Sequence, residues 1–143
     1  MPSVELRTGL NIDTIPCEEG SSAGSFAIGD LVKFDANGQV VIATAGAISG
    51  IAEKSATGTQ STTIPVTLID PSAIYIANYK SASAAQGLVG DCLDFTFTAG
   101  AHTLDESGAS TDVYCVGLAD PGDSTSARLL VRFMGTTLAA TAT

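Results

Sequence analysis

The chain has 143 residues, with 15 acidic side chains against six basic ones and a formal charge of −9. That length suits one domain with a real core. The cations Arg7, Lys33, Lys54, Lys80, Arg128 and Arg132 are scattered, which excludes the clustered positive charge that direct nucleic-acid binding requires. Charged residues make up 15% of the sequence, below the roughly 25% usual for a soluble domain. Gly, Ser, Thr and Ala instead separate short runs of Val, Ile, Leu and Phe, the composition of strands joined by turns.

Residues 1–24 are irregular, polar and Gly-containing, yet Val4, Leu6, Leu10, Ile12 and Ile15 recur as spaced apolar groups. Such a segment is either an edge strand of its own subunit or an extended N-terminal arm that orders against a partner. Regular structure is expected from Phe26 onward. Residues 31–34 read as a strand, Asp35-Ala36-Asn37-Gly38 as a hairpin turn in which Asn and Gly both tolerate positive φ, and residues 39–44 as the return strand. A further strand is expected at 47–52, followed by a polar loop at 53–61, a strand at 63–69 and another from Ile74. Residues 80–87 hold the only expected helical turn, capped by Gly87. Leu93, Phe95 and Phe97 alternate with polar residues, which marks a half-buried strand. Residues 105–112 read as an acidic loop, 113–118 and 127–134 as closing strands, and 135–143 as an extended or disordered tail. No βαβ rhythm is present, so the fold class is all-β: a small barrel or tight sandwich spanning residues 25–134. Its expected interior is Leu31, Phe34, Val41, Ile51, Val66, Ile76, Phe95, Phe97, Val116, Leu130 and Phe133.

One pattern occurs twice. Gly29-Asp30-Leu31-Val32 leads, 21 residues on, to Gly50-Ile51-Ala52-Glu53 and then to Ile64-Pro65-Val66. Gly90-Asp91-Cys92-Leu93 leads, 27 residues on, to Gly117-Leu118-Ala119-Asp120 and then to Leu129-Leu130-Val131.

Reactive side chains are few. Cys92 and Cys115 lie in apolar strand-like runs and are expected as reduced core residues beside a third cysteine, Cys17. His102 is expected as a solvated turn histidine, because neither a metal site nor a proton relay is spelled out around it. Asp91/Asp94 and Asp120/Asp123 read as turn formers. No catalytic, cofactor-binding or metal-binding residue is expected. No signal peptide and no membrane span is expected either. The segment Gly117-Leu118-Ala119-Asp120-Pro121-Gly122-Asp123-Ser124 faintly resembles a motif of trimeric dUTP pyrophosphatases. Those enzymes close their site with an Arg-rich C-terminal segment, whereas no Arg follows Arg132 here.

A broader resemblance is carried by Phe26-Ala27-Ile28-Gly29-Asp30-Leu31-Val32, by Asn37-Gly38, by Ala47-Ile48-Ser49-Gly50-Ile51-Ala52-Glu53 and by Ile64-Pro65-Val66. Together these resemble the capsid decoration, or cement, proteins of tailed bacteriophages, of the β-tulip type. The match is close over residues 26–79 and looser over 88–134. The resemblance implies a structural, non-enzymatic protein made in the host cytoplasm and carried on the outer capsid surface of the virion. Its partners would be the HK97-fold major capsid protein and further copies of itself as a homotrimer. Val4, Leu6, Leu10, Ile12 and Ile15 would be the capsid-contact candidates. A small adhesive or carbohydrate-binding β module is the alternative, and it would need exposed aromatics from among Tyr75, Tyr79 and Tyr114.

Overall fold

The computed structural model describes residues 4–8, 14–20, 26–44, 47–81, 83–84, 86–106 and 112–134. The expected C-terminal tail lies outside these residues. The described chain is all-β, built in order from β1 (Val4–Thr8), β2 (Thr14–Glu18), β3 (Leu31–Phe34), β4 (Val40–Ile42), β5 (Gly50–Ala52), β6 (Thr63–Leu68), β7 (Ile74–Asn78), β8 (Cys92–Thr96), β9 (Thr103–Asp105), β10 (Val113–Leu118) and β11 (Arg128–Phe133). The helical turn is a single 3-10 turn at Gln86–Leu88. Gly87 therefore lies inside it, and it is Gly90, at φ +96°, that takes the left-handed conformation after it.

The strands form two antiparallel sheets, ordered β2-β6-β5-β3-β4 and β1-β7-β11-β10-β8-β9. Apart from β1, the second sheet is the first one repeated. In each, the first strand of the unit pairs with its last, the last with the fourth, the fourth with the second, and the second with the third. The registers coincide as well. Leu31 faces Ile51 where Cys92 faces Tyr114, and Phe34 faces Val40 where Phe95 faces Leu104. Val66 sits between Ala52 and Ile15 where Val131 sits between Cys115 and Tyr75. Each sheet also curls round toward closure, because Glu19 bridges Val40 in parallel and Tyr79 bridges Leu104 in the same way.

The doubled pattern in the sequence is thus a doubled five-stranded unit, with one correction. The partner of Gly50-Ile51-Ala52 is Val113-Tyr114-Cys115, not Gly117-Leu118-Ala119. The textual likeness of the two Gly-apolar-Ala runs misaligns β5 with β10 by four positions. Gly117 instead follows a bulge in the β10–β11 pairing, which opens between Cys115 and Gly117.

Side-chain alternation places one face of each unit inside. In the first unit Val32, Val40, Ala52, Ile64 and Val66 form a small core with Cys17 and Phe26. The corresponding residues of the second unit, Leu93, Leu104, Cys115, Leu129 and Val131, belong to a larger core with Tyr75, Phe95 and Phe133. Phe133 stacks on Phe95 with ring centroids 5.9 Å apart and meets Tyr75 edge-on at 5.2 Å. Leu31 and Ile51 point the other way, outward from the first unit, and join the same large core. That contact unites the two halves.

The expected interior holds for Leu31, Val41, Ile51, Val66, Ile76, Phe95 and Phe133, all buried. Phe34, Phe97, Val116 and Leu130 are only half-buried. Leu130 and Phe133 lie at positions of opposite parity in β11, so one face cannot hold both, and Leu129 and Val131 fill the interior beside Phe133. Phe97 follows β8 rather than ending it. At the β3–β4 hairpin, Gly38 takes φ +73° and Asn37 does not join it in the left-handed region. Asp35 organises the turn instead, its carboxylate accepting the N–H groups of Asn37 and Gln39 at 2.8 and 2.9 Å.

Of residues 1–24, read as an extended arm or an edge strand, the described parts are two strands of the sheets. β1 pairs with β7 and β2 pairs with β6, both within the chain. The two outer flanks are managed differently. On β7 the flank is covered by β1, whereas on β2 the corresponding position carries Pro16, which has no N–H to offer an incoming strand.

Gly50 tests the close approach of β5 to β6. A Cβ there would lie 2.5 Å from Val66 Cγ1 and 2.7 Å from the Thr67 carbonyl oxygen. Gly50→Ala should therefore destabilise the protein by about 1–3 kcal/mol in urea melts. Unchanged stability would mean that β5 and β6 are further apart than described.

Candidate functional site

Of the sequence-predicted contact residues, two have side chains that the structure describes, Val4 and Ile15. Val4 is 1% exposed and belongs to the large core. Ile15 is half-buried against the core of the first unit. Leu6 lies in β1 opposite Tyr75, and Leu10 and Ile12 fall outside the described residues. Val4 and Ile15 therefore find their burial within their own subunit, as the edge-strand alternative required.

The most concentrated polar chemistry lies between the two units, at a histidine expected in solvent. His102 and Asp30 are both fully buried. One carboxylate oxygen of Asp30 accepts the N–H of Ala27 at 2.9 Å and that of Gly100 at 2.7 Å. His102 Nδ1 lies 3.7 Å from the other oxygen and 3.0 Å from the Thr98 carbonyl. A carbonyl can only accept, so Nδ1 carries the proton. Phe97 meets the imidazole edge-on at 5.4 Å. The lead-in turn of the first unit is thus tied to the β8–β9 hairpin tip of the second. Val4 adds a backbone bond to the Gly29 carbonyl at 3.2 Å. With both side chains at zero exposure, no substrate reaches this pair, and its chemistry is that of a joint. Only proximity in space brings residues 70 positions apart together, so no sequence motif announces it.

The other buried acids do similar work. Glu19 accepts the N–H and hydroxyl of Thr57 at 2.7 and 2.8 Å and the N–H of Gly58 at 2.7 Å, pinning the polar β5–β6 loop. Burial opposes ionisation of Glu19, but these hydrogen bonds outweigh it and hold the carboxyl below its ordinary value. Asp112, also fully buried, accepts the Phe95 N–H at 2.9 Å.

Near the surface, Asp123 caps Thr125 and Asp70 caps Ser72, and both carboxyls are lowered by those bonds. Asp120 accepts Ser126 Oγ at 2.6 Å and pairs with Arg128 at 3.4 Å. These acids form turns and bind neighbouring side chains, which accounts for the segment that resembles the pyrophosphatase motif.

The cysteines split. Cys17 and Cys115 are buried, and burial pushes both thiols up, while Cys92 is exposed, contrary to expectation, because β8 turns it to the outer face. Of the tyrosines, Tyr75 is fully buried, Tyr79 is half-buried with its hydroxyl on Glu106, and Tyr114 is 43% exposed. Among the described residues no cluster of His, Cys, Asp and Glu is arranged to hold a metal, and no helix is long and apolar enough to cross a membrane. Compared with known protein families, curated proteins and solved structures, the chain matches none.

Two outcomes test this reading. Asp30→Ala leaves no carboxylate to hold the Ala27 and Gly100 N–H groups and leaves His102 without its acid, and should cost about 2–4 kcal/mol, whereas Asp91→Ala, at the equivalent but exposed position, should be near neutral; equal effects in denaturant melts would dissolve the joint. For Glu19 the folded carboxyl is depressed, so its contribution is complete above the ordinary glutamate value of about 4.3 and is lost as pH falls through the folded value. Glu19→Gln should cost about 2 kcal/mol at neutral pH, and the gap to the parent should narrow as pH falls below the ordinary glutamate value. A gap independent of pH would show that the charge contributes nothing.

Proposed function

We propose that this chain is a structural capsid decoration protein that binds the outer surface of an HK97-fold phage head and ties neighbouring capsid subunits together. The observation that carries the reading is the doubled unit. The residues that bear the family resemblance fold into one continuous piece, the first unit from its Gly29-Asp30 turn through β6, and the second half repeats that piece strand for strand. A shell of identical subunits offers the same foothold many times. Two equivalent modules on one rigid chain engage two footholds with a high effective concentration and no need for a tight individual contact. The buried acids and the histidine support the same reading, since they are committed to backbone and loop positions. The outer surface of the two units is what remains for recognition.

Attachment falls to those outer walls and loops, not to burial of Val4 and Ile15, which the chain uses itself. Assembly as a homotrimer at local threefold positions belongs to the same proposal. The carbohydrate-binding alternative is disfavoured by the tyrosines, because Tyr114 by itself makes no stacking platform.

Labelled recombinant protein should co-sediment with mature heads of the phage that encodes it, saturate at a fixed copy number per shell, and raise the temperature at which the heads release DNA. Binding no stronger than that of an unrelated acidic protein of the same size would sink the proposal.

A further inference from the structure

We infer that the flank of β7 is a strand-acceptor site for an extended peptide, and that β1 is its resident ligand, a strand that detaches while both units stay folded. The first unit supplies the comparison. Its first strand, β2, pairs with β6, and the residue after β2 bridges Val40. That unit is complete with no strand along the outer side of β2 among the described residues. The second unit closes in the same way, by β7 on β11 and by the bridge from Tyr79 to Leu104. β1 lies outside the repeat and completes neither unit.

The two flanks differ in the group that an added strand needs. Ile15 and Tyr75 occupy one position, so Pro16 corresponds to Ile76. The N–H groups of Glu19 and Tyr79 go to the carbonyls of Thr62 and Ala127, on the β6 and β11 sides, at 2.8 and 2.7 Å. Backbone groups of an antiparallel strand alternate in direction from residue to residue. Those of Pro16 and Ile76 therefore face away from β6 and β11. Ile76 offers its N–H to β1, at the pair with Glu5. Pro16 has none to offer at the same place, so one flank accepts a strand where the other refuses it.

Recognition at this site rests on backbone pairing and one anchoring side chain. Val4, 1% exposed, enters the core that also holds Tyr75, Ala77, Leu31 and Ile51. Its strand lies on the second unit, while its N–H reaches the Gly29 carbonyl of the first at 3.2 Å. The site therefore spans the seam between the units. The ligand that fits is an extended segment with a small aliphatic residue at the place of Val4 and a free backbone edge at the next residue. Regular pairing with β7 breaks between Leu6 and Thr8. A strand held over so short a run opens at a lower free energy than the sheets it leans on.

Nothing here depends on the capsid proposal, and the purified full-length chain suffices for the test. In the parent, native-state hydrogen exchange at Ile76 should be independent of denaturant and about a hundredfold or more faster than at Val131, between β7 and β10. Val4→Asp should unseat β1 while the thermal melt stays cooperative. That variant should bind a fluorescent synthetic peptide of residues 2–9 about tenfold or more tightly than the parent, whose site is already filled. The same peptide carrying Val4→Asp, or with its residues scrambled, should not bind. Equal exchange at Ile76 and Val131 in the parent overturns the inference, whether or not Val4→Asp folds. So does a folded Val4→Asp chain that takes the peptide no better than the parent does, or no better than it takes the scrambled one.

Discussion

The pairing of the first strand of each unit with its last is the constraint on which the rest of this protein depends. β2 meets β6 and β7 meets β11 across long stretches of sequence, and the end of each first strand then bridges the third. Once that pairing is made, alternation decides which side chain points inward at every other position, and a slip of one residue would turn Ile64, Val66, Leu129 and Val131 out to water. The bulge at Cys115–Gly117 is tolerated because it comes after Val113 and Cys115 have been delivered to the interior.

A chain with a charge of −9 nevertheless buries the carboxylates of Glu19, Asp30 and Asp112. Each would be costly to hide alone, and each accepts backbone N–H groups that would themselves be costly to leave unpaired. The acids hold what the strands do not: Glu19 a loop of the first unit, Asp112 the interior of the second, and Asp30 the joint between them. Reactive groups turned inward in this way are removed from chemistry with outside molecules.

Duplication with divergence explains why equivalent residues have different fates. Ile15 and Tyr75 occupy one position, yet Tyr75 is fully buried in the second interior while Ile15 is half-buried against the first. Glu19 and Tyr79 both follow the first strand of their unit and make the same parallel bridge. Glu19 turns in to hold its own unit's loop, while Tyr79 reaches Glu106. Asp30 is fully buried because a second unit packs over its turn, and Asp91 is exposed because nothing among the described residues packs over its own.

The sequence by itself determined the all-β class, most strand positions and the existence of a repeat, because turn residues and period-two alternation act over a few neighbouring residues. It also determined that Asp123 would form a turn. What it left open was decided in three dimensions. His102 looks like a turn residue until the Asp30 turn and the ring of Phe97 close over it. Cys92 looks like core until the face of β8 is known. Val4 and Ile15 look like free apolar groups until β7 and β6 are seen beside them. The likeness of Gly117-Leu118-Ala119 to Gly50-Ile51-Ala52 is outvoted by the hydrogen-bond register. In each case the deciding partner lies far away in sequence, and burial depends on what packs from the other side. Local pattern carries no record of that.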